Sequence, residues 1–217
     1  IQKISQSTGQ VFVVVESIYS MDGDKAPLVE IEKICKSHKA LLIVDEAHAT
    51  GVFGQRGEGL CSSLSTFARI HTFGKSLGCH GAVVLGSSVL KKFLINFSRP
   101  FIYTTAIAPS SVSIILQSYK KMEDSQSRIK LRENINLFIK HVNNKNWLPS
   151  ESAIQSIIVP GNDNAKSTAK KLQNNGFDVR PILSPTVEKG KERIRICIHS
   201  FNKKENIISL CHLINHL

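Results

Sequence analysis

The stretch that decides the fold is Leu41–Gly78, LLIVDEAHATGVFGQRGEGLCSSLSTFARIHTFGKSLG. It opens on an apolar run, Leu41-Leu42-Ile43-Val44, with the pattern of a buried strand. The run ends in a carboxylate, Asp45. His48 follows, and then a loop punctuated by Gly51, Gly54, Gly57 and Gly59. A second short strand, Ala68 to Phe73, delivers Thr72 and, flanked by glycine, Lys75. In open α/β sheets the ligand crevice lies at the carboxyl ends of the strands. An acid and an amine are therefore expected along one edge.

Taken singly, each residue has a plain reading. Asp45 is a cap or turn residue, Lys75 a solvated surface lysine, His48 a satisfied loop histidine and Thr72 an ordinary strand threonine. Their occurrence in order, around one glycine loop, argues for a site. The letters DEAH after an apolar strand also look like the magnesium-binding motif of nucleic-acid helicases, and Gly74-Lys75-Ser76 like the tail of a phosphate loop. A full phosphate loop needs a glycine at position 69. That position holds Arg69, and the order of the two motifs is reversed. The helicase reading is disfavoured.

Outward from this stretch, Val11 to Val15 reads as a central parallel strand and Pro27 to Lys39 as a helix, with Leu28, Ile31, Ile34 and Cys35 at helical spacing. Strand, helix and strand make a parallel crossover. Ala82 to Leu85 is a further strand. Ser87-Ser88 caps a helix up to Phe97, Arg99-Pro100 breaks it, and Phe101 to Thr105 is expected to be extended. Pro109 opens a long helical segment to about Asn143, with a break near Asp124 to Ser127. Ile129, Leu131, Ile135, Phe138 and Ile139 mark its buried side. The polar run Asn143–Asn146 is the expected boundary, giving domains 1–145 and 146–217. Beyond it, Ile154 to Val159, Phe177 to Leu183 and Arg193 to His199 read as strands. Asn162 to Asn174 and Lys203 to His216 read as helices, an α+β order.

The bulk numbers narrow the function. The chain has 217 residues, and its net charge of +11 suits nucleic acid, a membrane surface, or an anionic cofactor with a coenzyme A substrate. The positive charges form no dense run with interleaved aromatics, so nucleic-acid binding is disfavoured. Cys35, Cys61, Cys79, Cys197 and Cys211 are scattered, without zinc or disulfide spacing, and fit a reducing cytosol. No signal peptide or bilayer-length apolar run is read.

Five blocks together carry a resemblance: Glu16–Asp24 (ESIYSMDGD), Asp45–Gly51 (DEAHATG), Thr72–Lys75 (TFGK), Ile102–Thr105 (IYTT) and Arg193–Arg195 (RIR). From about Val11 to the C-terminus the chain resembles the α-oxoamine synthases, enzymes of pyridoxal 5'-phosphate (PLP). The fold implied is α/β, the PLP-dependent transferase fold type I: part of the large parallel-sheet domain plus a small C-terminal α+β domain. The family's glycine-rich phosphate turn and ring-stacking histidine have no counterpart in the sequence. The chain is expected to be the C-terminal part of a longer enzyme, and to bind PLP weakly or remain inactive by itself.

The resemblance implies a role for each matched residue. Lys75 carries the cofactor's aldehyde and moves the Cα proton, its neutral form favoured by partial burial. Asp45 faces the pyridinium nitrogen, where an opposite charge keeps the ring protonated. His48 bonds the ring's 3-oxygen, Ser20 lies near the cofactor, and Thr72 donates to the phosphate. Thr104 and Thr105 reach the phosphate of a neighbouring subunit, which implies a homodimer. Arg195 holds the substrate carboxylate, and the Pro185-Thr186-Val187 loop covers the substrate. No metal is implied. The reaction implied joins an amino acid to an acyl thioester, on coenzyme A or a carrier protein, with loss of carbon dioxide. Thr50 stands where the glycine-using branches carry valine, which points to alanine.

Overall fold

Alternation along the first two strands sets the architecture of the computed structural model, which describes residues 9–217. On β1 (Phe12–Glu16) Val13 and Val15 pack inward, and on β2 (Leu41–Asp45) Leu42 and Val44 are buried. Residues two apart share a strand face, so these four meet helix α1 (Leu28–Ser37), where Leu28 and Cys35 are buried and Ile31 is partly so. β1 and β2 pair in parallel from Phe12↔Leu41 to Glu16↔Asp45. β3 (Ala68–Thr72) continues the parallel ladder, with Asp45 opposite Ile70. β4 (Ala82–Gly86) closes the sheet antiparallel to β3. A parallel partner requires a crossover of about a dozen residues or more, and the link from Phe73 to Gly81 is too short for one. Among the described residues the order is β1-β2-β3-β4, and Phe12 and Val14 on β1 are 51% and 65% exposed.

Helix α2 (Ser88–Phe97) is capped as its sequence predicts, the Ser87 hydroxyl accepting from the Leu90 amide at 3.1 Å. The next stretch corrects the reading of an extended Phe101–Thr105. Arg99–Ile102 is a short helix, α3, with Pro100 in its first turn. A proline there gives up only an amide that the helix leaves unpaired, and its φ is already helical. Thr104 and Thr105 follow in exposed irregular backbone, not in an edge strand. α4 (Pro109–Met122) and α5 (Gln126–His141) are separated where Asp124 to Ser127 predicts a break.

The chain divides into two compact units. One comprises the residues up to Ile18 and Lys25–Ser125, the other Tyr19–Asp24 and Gln126–Leu217. The division falls at the α4–α5 break, ahead of the polar run Asn143–Asn146. The physical reason lies on α5, whose Ile135 and Phe138, with Val142 just past its end, are buried in the second unit's core. Its stripe begins at Leu131, since Ile129 is 49% exposed.

In the second unit β5 (Trp147–Leu148), β6 (Ile154–Ile158), β7 (Arg180–Ile182) and β8 (Arg193–Cys197) pair antiparallel in the order β5-β6-β8-β7. Ile157, Ile194 and Ile196 meet Ala169 and Leu172 of α6 (Asn162–Asn174) and Ile207, Leu210 and Ile214 of α7 (Lys204–Asn215) around Phe138. Burying a phenylalanine completely contributes about 1.5–3 kcal/mol. Gly176, at φ +88°, turns the chain after α6.

Candidate functional site

In the first unit the parallel ladder runs past the ends of its strands. The Ser17 amide donates to the Asp45 carbonyl at 2.8 Å, and the Glu46 amide to the Ile70 carbonyl at 2.8 Å. The carboxyl ends of β1, β2 and β3 are thereby held level. Asp45 is half-buried there, and its Oδ1 accepts from the Ala47 amide at 2.7 Å. That bond makes the tight turn on which half-buried His48 sits. Asp45 is therefore a turn residue, as its plain reading has it, with a second oxygen to offer a ligand.

Glu46, the next residue, points the other way and is completely buried. Its carboxylate accepts from the Ser17 hydroxyl at 2.8 Å, the Leu60 amide at 2.8 Å and the Cys61 amide at 2.6 Å. The end of β1 and the end of the glycine loop are thus fastened to the DEAH turn by one side chain. Gly59, at φ +92°, backs onto it, and a Cβ there would lie 2.6 Å from Glu46 Oε2. Burial and the Glu46 charge both raise the Cys61 thiol pKa, burial more, so Cys61 stays a thiol.

Lys75 lies in the tight connection from β3 to β4. The Cys79 amide donates to the Phe73 carbonyl at 2.7 Å, the Phe73 amide to Gly81 at 2.9 Å, and the Gly78 amide to Lys75 at 3.1 Å. Lys75 itself is exposed, where partial burial was expected. The Ser76 hydroxyl donates to the carbonyl of Thr50, and the buried Thr50 hydroxyl donates to the Glu46 carbonyl at 2.9 Å. The lysine loop and the DEAH turn are therefore one hydrogen-bonded assembly. The same geometry disposes of the helicase reading. A phosphate loop joins a strand to a helix, whereas Gly74-Lys75-Ser76 joins two antiparallel strands.

Thr72 closes β3, and among the described residues its buried Oγ1 has no hydrogen-bond partner. A buried hydroxyl without a partner is costly and calls for an explanation. An acceptor-rich phosphate oxygen would supply one. PLP, which the resemblance implies, fits the residues present on this count: an orphan donor at Thr72, a carboxylate at Asp45 and an amine at Lys75. His71, one residue earlier, is buried, and among the described residues neither ring nitrogen has a partner. Burial lowers its pKa.

Ser20 and Arg195 belong together in the second unit. Arg195 Nε donates to the Ser20 carbonyl at 2.8 Å, and its Nη1 to Cys197 Sγ at 3.2 Å. The alternation that aligns Arg193 with Arg195 is present on β8, but the two arginines do different work. Arg193 is buried and ion-paired with Asp22, while Arg195 is half-buried. The Pro185–Val187 loop is anchored at Ser184, whose amide donates to Asn162 Oδ1 at 2.9 Å.

The family model of aminotransferase class I and II matches residues 1–214. The chain belongs to the aminotransferase class I and II family. It is 35% identical to the 8-amino-7-oxononanoate synthase of Emericella nidulans, over 98% of this chain and 56% of that protein. The 8-amino-7-oxononanoate synthase structure from Francisella tularensis superposes with a TM-score of 0.82 at 29% identity, over 99% of this chain and 65% of that one. A variant of serine palmitoyltransferase from S. paucimobilis with bound PLP superposes with a TM-score of 0.90 at 25% identity, over 99% and 57%. The chain thus spans less than two thirds of the length of each.

In this aminotransferase-family chain, Asp45, His48, Thr72 and Lys75 are the candidates the sequence names, while Glu46, Ser17 and Gly59, which build the turn, went unnamed as a group. The signal was available in part. Two adjacent acids at a strand end must face opposite ways, and the inward one must be bonded.

Proposed function

We propose that the chain provides the lysine-bearing part of a PLP-dependent α-oxoamine synthase. The observation that carries this reading is the orphan Thr72 hydroxyl at the end of the strand that leads to Lys75, beside the Asp45 turn. PLP, when bound, supplies an electron sink that stabilises negative charge at an amino acid's Cα. The protein's own residues do the rest. Lys75 Nζ would hold the cofactor at its aldehyde carbon and, when free as the neutral amine, would be the group to take a proton from the amino acid's Cα. Asp45 keeps the ring nitrogen protonated, His48 bonds the ring's 3-oxygen, and Thr72 holds the phosphate. Ser20 lies near the cofactor, and Arg195 holds the amino acid's carboxylate as a two-pronged donor. Thr104 and Thr105 serve the phosphate of a second subunit in a homodimer. Phe101, Ile102 and Tyr103, 59%, 41% and 81% exposed just before them, are apolar surface suited to such an interface.

The substrates proposed are L-alanine and a pimeloyl thioester, on coenzyme A or a carrier protein, giving 8-amino-7-oxononanoate for biotin synthesis. The identity to the E. nidulans enzyme and the Thr50 of DEAHATG support this choice. The glycine-using 2-amino-3-ketobutyrate ligase chemistry is the alternative within the family. Serine chemistry has its own support, since the serine palmitoyltransferase superposes with the higher TM-score.

The test is an absorbance spectrum of the purified chain with added PLP, before and after borohydride, followed by peptide mapping. The expected result is a reducible adduct on Lys75, abolished in Lys75→Ala. No adduct here and none in a longer form of the enzyme would overturn the reading. Turnover with L-alanine, glycine and L-serine, each with its acyl thioester, ranks the substrates.

A further inference from the structure

Four consecutive residues of the Tyr19–Asp24 segment are each gripped by the second unit, to which the segment belongs. The Ser20 carbonyl accepts from Arg195 Nε at 2.8 Å and the Met21 carbonyl from the Ser156 hydroxyl at 2.7 Å. The Asp22 carboxylate takes the Arg193 guanidinium, and the Gly23 carbonyl accepts from the Ser150 hydroxyl at 2.9 Å. Gly23, at φ +76°, is pressed so closely that a Cβ would lie 2.5 Å from both Ser152 Oγ and the Ile154 carbonyl. Ser156 pairs with Arg195 across β6 and β8, and Arg193 lies two residues from Arg195 on the same face. Only one of these grips is an ion pair, and Arg193 is buried with its Nε also committed, to the Lys191 carbonyl at 3.0 Å.

We propose that Arg193 and Asp22 are positioning residues for Arg195, an inference that rests on the reading of Arg195 as the carboxylate anchor. The chain of causes is short. A guanidinium can present a carboxylate with two parallel donors in either of two ways, through Nε and one Nη or through both Nη groups. The Ser20 carbonyl occupies Nε. Only the end-on fork through both Nη groups remains, and among the described residues it donates there to the weak acceptor Cys197 Sγ. What fixes the Ser20 carbonyl is the segment's attachment, and its charged member is Asp22 on Arg193. The ion pair therefore selects which edge of Arg195 meets the substrate.

The experiment follows Arg195 directly. The Nε–Hε resonance of Arg195, assigned by its loss in Arg195→Lys, and amide hydrogen exchange of residues 20–23 are measured in the wild-type chain, in Asp22→Asn and in Asp22→Glu. The expected result is a shifted, broadened Nε–Hε resonance and exchange faster by about tenfold in Asp22→Asn, with Asp22→Glu closer to wild type. Calorimetry on the PLP-loaded chain should show L-alanine binding weakened by about tenfold in Asp22→Asn, with L-alaninamide, which lacks the carboxylate, changed by less than about threefold. An unmoved Nε–Hε resonance in a folded Asp22→Asn chain overturns the proposal. Equal binding of L-alanine and L-alaninamide by the wild type would instead overturn the anchor reading of Arg195, while resonance and exchange still decide the clamp.

Discussion

The Glu46 carboxylate accepts the Cys61 amide at 2.6 Å while also holding the Ser17 hydroxyl at 2.8 Å. One buried side chain therefore fastens the start of the DEAH turn to both the preceding strand and the far end of the glycine loop. Losing an acceptor for buried donors costs about 1–3 kcal/mol each. Glu46→Gln retains one acceptor oxygen but brings two donor hydrogens among three donors. It is expected to lower the chain's unfolding free energy by roughly 2 kcal/mol, read from urea denaturation midpoints.

Gly59→Ala tests the same assembly from outside the carboxylate. The new methyl meets a carboxylate that three donors hold in place, in a backbone region that disfavours side chains. A loss of about 1–3 kcal/mol is expected. Gly78→Ala also sits at positive φ, but nothing lies within 4 Å of its Cβ, so it should cost less. Equal losses for the two variants would mean that contact with Glu46 is immaterial.

Thr72→Val separates stability from cofactor binding. The hydroxyl has no partner among the described residues, so replacing it by a methyl removes a desolvated polar group and is expected to raise stability by about 1 kcal/mol. The same change takes a donor from the phosphate and should weaken PLP binding by about tenfold. Thermal unfolding without PLP and a PLP titration give the two signs, and a drop in both would count against the assignment.

Asp45→Asn should fold normally, because an asparagine keeps the Oδ1 acceptor that takes the Ala47 amide at 2.7 Å. Turnover is expected to fall by orders of magnitude, since a neutral side chain no longer holds the ring nitrogen protonated. Near-normal turnover would remove Asp45 from its role.

His71 makes stability depend on pH. Its folded pKa lies below the ordinary value of 6.5, first through burial, with Arg69 adding to the effect and Glu46 and Asp45 opposing it. A lowered pKa on a basic group means the unfolded chain takes up the proton first. The contribution of His71 is therefore intact above about pH 6.5, and it is lost progressively as the pH falls toward the folded pKa. His71→Leu should flatten that part of the profile, as denaturation midpoints between pH 8 and 5 would show.

The sequence by itself determined the four strands of the first unit and the parallel crossover between the first two, and it named candidate residues at the strand ends. Apolar runs such as Leu41–Val44, bounded by an acid and by glycines, carry that information locally. It also located the α4–α5 break. Tertiary structure alone decided the rest. Whether Ala82–Gly86 ran parallel or antiparallel depended on the length of the turn that carries Lys75. Arg99–Ile102 turned helical because Pro100 suits a first turn as well as it suits a break. α5 joined the second unit because Phe138 found its partners across more than fifty residues of sequence, among Ile194, Ile207 and Ile214. The division of labour between Arg193 and Arg195 was invisible in RIR, because it is set by Asp22 and Ser20, which are distant in sequence and adjacent only in the fold.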